Sequence, residues 1–314
     1  MQHARIAGFD GVRGIAVALV VAFHLWPDVV PGGFLGVTLF FALSGYLITS
    51  LLLDEVDRSG SVSLRGFYQR RVRRILPAAL ATVSVVAVVW FIAGWATSTT
   101  RRELVAALLQ VTNWQQIVDG GVYGASTDRS PVLHFWSLAI EEQVYLVLPL
   151  VVLLARRRWV IGFTLGVLVS ATALGTWLVA GDTSLVYFST FTRSGEMLVG
   201  AVLATALHRR SVPTGRNSRM LIAGLGIASL GGLVALGLTT SLGTEGYYRG
   251  GLLACGVLAA VGVAAVAHQS DLGARLDVAP LRWVGERSYG IYLVHWPLLL
   301  GFTAAGMNAL VLPV

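Results

Sequence analysis

An arginine and a histidine, Arg13 and His24, stand eleven residues apart in the otherwise apolar stretch GVRGIAVALVVAFHLWP. Histidine has an ordinary pKa of about 6.5, so near pH 7 its ring is largely neutral and can act as a general base or as a nucleophile. Eleven residues make about three helical turns, which puts both groups on one face, roughly 16 Å apart along the axis. They are expected to point into one cavity at two depths. Ionisable groups are costly inside a membrane and suggest function there. The plainer alternatives are a snorkelling arginine and a histidine hydrogen-bonded between helices.

Other apolar stretches carry the same anomaly. In HFWSLAIEEQVYLVLP, Ser137, Glu141 and Tyr145 follow at i, i+4 and i+8 and form a polar stripe, with His134 leading into it and Glu142 beside it. A base works best when a third group fixes its tautomer. Glu141, Glu142 and Glu196 are the carboxylates at the right depth for this, and Glu141 is favoured because it shares the stripe. In YFSTFTRSGEMLVGAVLA, Arg193 and Glu196 lie at i, i+3, where a structural ion pair and a site role are equally open. In ERSYGIYLVHWPLL, Ser288, Tyr292 and Trp296 share one face and Tyr289 and His295 lie nearer another, with His295 read as a structural hydrogen-bonder. Tyr292, Ser44 or a backbone amide of the glycine-rich segment GGFLGVTLFFALSGYLIT are the candidate donors to an oxyanion. The segment FYQRRVRRILP carries Arg70, Arg71, Arg73 and Arg74. That cluster suits topology and anionic lipid, or phosphate bound by arginine forks. The histidines do not fall in a ligand-spaced pattern, so no metal is expected.

The elements that must position these groups are membrane helices. The chain has 314 residues, 55% of them hydrophobic and 12% charged, and its mean hydropathy of +0.73 is too high for a soluble globule. We expect an all-α, polytopic bundle with spans at about 9–26, 33–53, 75–95, 133–154, 159–180, 187–207, 220–238, 250–268 and 287–304. A tenth begins in the final NALVLPV. With the N-terminus cytoplasmic, 17 arginines fall in inner loops and 4 in outer ones, as the positive-inside rule requires. That count needs residues 103–118 to lie on the outer face without crossing. In the same outer region, Trp114 and Tyr123 offer rings that could stack on a sugar. The net charge of +7 comes from arginines that read as topology, so nucleic acid is not an expected partner. The single cysteine, Cys255, rules out a disulfide framework and reads as a small buried hydrophobe.

Taken in order, these segments resemble the acyltransferase family 3 membrane proteins over about Phe9 to Pro297. The arginine, ten residues, histidine pattern falls on Arg13 and His24, and the family's arginine pair before Ile-x-Pro falls on Arg71 and Arg74. The sequence departs from the family at Thr38, where Gly-Val-Asp is usual. The resemblance implies one membrane domain over residues 1–314 of a multi-pass protein in the bacterial cytoplasmic membrane, with no SGNH-type domain in this chain. It implies acyl-CoA, acetyl-CoA above all, as donor, with its phosphates on Arg71 and Arg74, aided by Arg70 and Arg13. The acceptor would be a hydroxyl of a cell-envelope glycan or of a secondary metabolite. A proton- or solute-coupled transporter built on Arg13, His24, Glu141 and Glu196 is the rival, although no inverted repeat marks it. A third reading, an inert scaffold, would leave His24 dispensable.

Overall fold

The computed structural model describes residues 6–121, 130–155, 157–210, 215–268 and 270–306. Arg5, Tyr123, Arg129, Arg156 and the segment 307–314, each of which carried a sequence expectation, lie outside them. All regular structure among the described residues is helical. The helices are α1 Phe9–Leu25, α2 Leu35–Ser59, α3 Leu64–Ile92, α4 Ser98–Leu108, α5 Thr112–Val118, α6 Phe135–Ala155 and α7 Arg158–Leu178. They continue with α8 Thr183–Phe188, α9 Thr190–Leu207, α10 Arg216–Thr239, α11 Leu252–His268, α12 Ser270–Leu276, α13 Ala279–Glu286 and α14 Ser288–Ala304. A kinked turn, Tyr247–Gly251, in which Gly250 takes a φ of 109°, leads into α11.

The nine spans read from the sequence each coincide with a helix. Among the described residues, six helical stretches are long and apolar enough to cross a membrane: α2, α3, α6, α7, α10 and Tyr247–His268. This is an integral membrane protein. Helices α1 and α14, with 17 residues each, are shorter, and α9 carries Arg193 and Glu196. Residues 103–118 form no single helix. The chain breaks between α4 and α5, where Gln110 takes a left-handed φ of 55°, and helices of 11 and 7 residues are too short to span a bilayer.

Helix α2 is the hub of the bundle and packs against α1, α6, α9 and α11. Its glycines explain why. A Cβ on Gly45 would overlap the Met197 carbonyl of α9, and one on Gly200 of α9 would overlap the Ala42 carbonyl of α2. The two backbones therefore touch along a seam that admits no side chain, the usual means of close approach between membrane helices. The close contact expected of the glycine-rich segment is thus with neighbouring helices. Gly45→Ala is expected to cost about 1–3 kcal/mol by overpacking, read as a lower unfolding temperature in detergent.

A second tie within the bundle is ionic. The Arg193 guanidinium meets Glu196 Oε1 at 3.0 Å, and the two side chains are only 1% and 2% exposed. The rings of Tyr187, Trp136 and Phe41 surround the cation at 5.0, 5.5 and 5.7 Å. Removing one partner of such a pair strands a buried charge. Glu196→Ala is accordingly expected to cost about 3–5 kcal/mol. The double change Arg193→Met/Glu196→Met should be less damaging in the same thermal assay.

Candidate active site

A cavity of about 100 Å³ opens among α1, α2, α3, α6 and α14. Its polar wall is made by Arg13, Arg71, Arg74, Ser44, Ser137, Glu141, Glu142, Tyr145, Ser288, Tyr289 and Tyr292. Most of these come from the sequence motifs, now assembled from five helices. Thr38 is fully buried in α2 and does not line the cavity.

Arg13, Arg71 and Glu141 are each held in place. Asp10, one turn below Arg13, accepts from its guanidinium at 2.7 Å. The Arg71 guanidinium stacks on the Tyr145 ring with its central carbon 3.9 Å from the ring centroid, an attraction between the cation and the ring's negative face. The Tyr145 hydroxyl and the Ser44 hydroxyl both donate to Glu141 Oε1. Tyr289 donates to the Ile75 carbonyl at 2.9 Å, which pins α14 to α3 beside the arginines. Arg13 is paired with Asp10, whereas the Arg71 Nε is buried without a hydrogen-bond partner. An arginine-bearing wall with an unmet donor suits an anion such as a phosphate group.

Three expectations need correction, and one open alternative is decided. Arg70 does not join the cavity: it is exposed and pairs with Glu55 at 3.3 Å. Trp114 does not present a free ring: its indole donates to Gln143 Oε1 at 3.1 Å, and its ring packs edge-on against Phe191 at 5.7 Å. Arg193 and Glu196, for which a structural pair and a site role were both open, form an ion pair inside the bundle and do not line the cavity. His24 is not part of the cavity wall either.

His24 instead belongs to a layer of rings beyond that wall. Its Nδ1–H donates to the Val20 carbonyl at 2.8 Å, so a backbone group, not Glu141, fixes its tautomer and leaves Nε2 as the basic nitrogen. Its ring lies 4.8 Å from Trp296 and 5.2 Å from His295. His295 lies 5.4 Å from the ring of Tyr292, whose hydroxyl shares a 2.6 Å hydrogen bond with Ser137. Tyr292 and Ser137 both line the cavity. The imidazole is therefore joined to the arginine-lined space through one layer, Tyr292 with His295.

Sequence reasoning missed Gln143. It donates to the Asn113 side chain and the Gln110 carbonyl and accepts from Trp114 and Thr190, tying the α4–α5 link, α5, α6 and α9 together. Its amide follows two glutamates in the sequence and drew no notice beside them. No group of three or more His, Cys, Asp or Glu side chains among the described residues is arranged to hold a metal ion.

The family model described as an acyltransferase domain matches residues 6–312. The chain belongs to this acyltransferase family. It is 38% identical over 313 residues to the protein named Putative peptidoglycan O-acetyltransferase YrhL of Bacillus subtilis, covering 95% of this chain and 49% of that one. It is 35% identical over 307 residues to peptidoglycan O-acetyltransferase OatA of Listeria monocytogenes, covering 94% of this chain and 49% of that one. The chain thus spans about half the length of the curated relatives it matches. No solved structure matches it.

Proposed function

We propose that this chain is the membrane acyltransferase that moves an acyl group, acetyl above all, from acyl-CoA to a hydroxyl of a cell-envelope glycan such as peptidoglycan. Its membrane would be the bacterial cytoplasmic membrane, with the N-terminus inside. The observation that carries the reading is the juxtaposition of a cavity lined by Arg13, Arg71 and Arg74 with an imidazole of fixed tautomer one ring layer away. The arginines would take the donor's phosphates from the inner side, and the pantetheine arm would run past Ser44 and Glu141 towards Tyr292. A shift of the Tyr292 side chain would admit the thioester to His24.

At His24, Nε2 acts as general base. It takes the hydroxyl proton as the acceptor oxygen bonds the thioester carbonyl carbon. The carbon–sulfur bond then breaks and the departing thiolate takes a proton, so the histidine ends neutral. Tyr292 and Ser44, which line the cavity, would be the hydroxyl donors to the developing oxyanion. The names of the relatives support the acetyl group and the glycan. The test is release of free CoA by purified protein in nanodiscs supplied with acetyl-CoA and peptidoglycan fragments. Release that depends on the glycan supports the proposal, and movement of a solute across the membrane with no CoA release would replace it with a transporter.

A further inference from the structure

We propose that His295 is the positioning partner of His24, a second imidazole whose free lone pair shares the proton drawn from the acceptor hydroxyl. The inference rests on the reading of His24 as the base. His295 donates its Nδ1–H to the Tyr292 carbonyl at 2.7 Å. In a neutral ring one nitrogen donates and the other accepts, so its Nε2 is an acceptor. That Nε2 is buried and has no hydrogen-bond partner.

The surroundings repeat the pattern. His134, 2% exposed, donates Nε2–H to the Leu293 carbonyl at 3.0 Å, which leaves its Nδ1 buried and unpartnered. Its ring lies 5.5 Å from His295, which in turn lies 5.2 Å from His24. Three imidazoles are thus fixed in one tautomer by backbone carbonyls, and two of them keep buried acceptors that no donor meets. Native interiors rarely leave such atoms unmet, and those that persist call for an explanation.

A proton that arrives during the reaction supplies it. Two imidazoles with centroids 5.2 Å apart can bring facing nitrogens to the ordinary hydrogen-bond range of about 3 Å. When His24 takes the hydroxyl proton, the resulting imidazolium sits among Phe23, Trp296 and His295, while Glu141 and Glu142 face the cavity. The neutral Nε2 of His295 then accepts from it in a charge-assisted hydrogen bond, stronger than a neutral one. The interaction exists only while His24 is charged, so it stabilises the transition state over the ground state. When the thiolate takes the proton, both rings return to neutral. His134 supports His295.

The experiment compares wild type, His295→Gln, His295→Ala and His24→Ala in the CoA-release assay with acetyl-CoA and a peptidoglycan fragment. Both His295 variants should lose at least about tenfold in kcat, with KM for acetyl-CoA and the unfolding temperature close to wild type. Added imidazole should restore part of the rate of His295→Ala. Full rates in both variants would overturn the sharing role, and so would loss of rate together with folding and no rescue by imidazole. An inert His24→Ala beside a fully active His295→Gln would remove this inference alone. A fully active His24→Ala would remove the base on which it depends.

Discussion

His24→Ala should lower the rate of acyl transfer by about 10²- to 10⁴-fold, the range contributed by a positioned general base, and leave acyl-CoA binding unchanged. The second half follows from the geometry. His24 does not line the cavity that would hold the donor, and its ring contacts Phe23, Trp296 and His295 instead. Removing the imidazole should therefore change kcat and spare KM, the signature of a group that acts only in the transition state. The paired measurement is CoA release under saturating donor and equilibrium binding of CoA to the same variant. His24→Gln should be as slow as His24→Ala, because an amide preserves shape and hydrogen bonding but cannot take the proton.

Arg71→Ala and Arg74→Ala should weaken CoA binding, each by about tenfold or more. A hydrogen bond to a charged group contributes about 1.5–3 kcal/mol, and each 1.4 kcal/mol is a factor of about ten in affinity. Arg71 should show the larger loss. Its guanidinium is already seated on the Tyr145 ring and its Nε is buried without a partner, so little ordering remains to be done when a phosphate arrives. Lysine should restore only part of the affinity, since it lacks the planar fork that grips phosphate oxygens in pairs. Arg70→Ala serves as the internal control and should bind CoA as wild type does, because Arg70 turns away to Glu55. Titration of fluorescent CoA at two salt concentrations would read all of these, with the wild-type affinity falling as salt rises.

The helices were legible because apolar runs of the right length recur and arginines gather in alternate loops. Their ends were less so. Helix α3 begins at Leu64, well before the expected start near 75, because hydropathy registers lipid contact, whereas the helix runs on through the charged FYQRRVRR segment. Periodicity put Ser137, Glu141 and Tyr145 on one stripe, and the Ser44 and Tyr145 bonds to Glu141 follow that stripe into the cavity. What the sequence could not convey was the contribution of other helices. The face shared by Arg13 and His24 is a property of α1 alone, whereas Tyr292 and His295, which separate the two depths, come from α14 more than 250 residues later. The tautomer of His24 was equally hidden, since the group that sets it is a backbone carbonyl four residues back, and every helical residue has one. Trp114 shows the opposite error: an aromatic residue in a loop invites a ligand, yet Gln143 and Phe191 already occupy it.

The central claim is that the arginine-lined cavity holds the donor and delivers its thioester to His24 past Tyr292. A structure of the protein in nanodiscs with a non-hydrolysable acetyl-CoA analogue tests it most directly. The account predicts phosphates on Arg71 and Arg74, the pantetheine arm along Ser44 and Glu141, and the carbonyl carbon beside His24 with the Tyr292 ring displaced. An analogue bound away from those arginines, or one whose acyl end stays on the cavity side of an unmoved Tyr292, would contradict it.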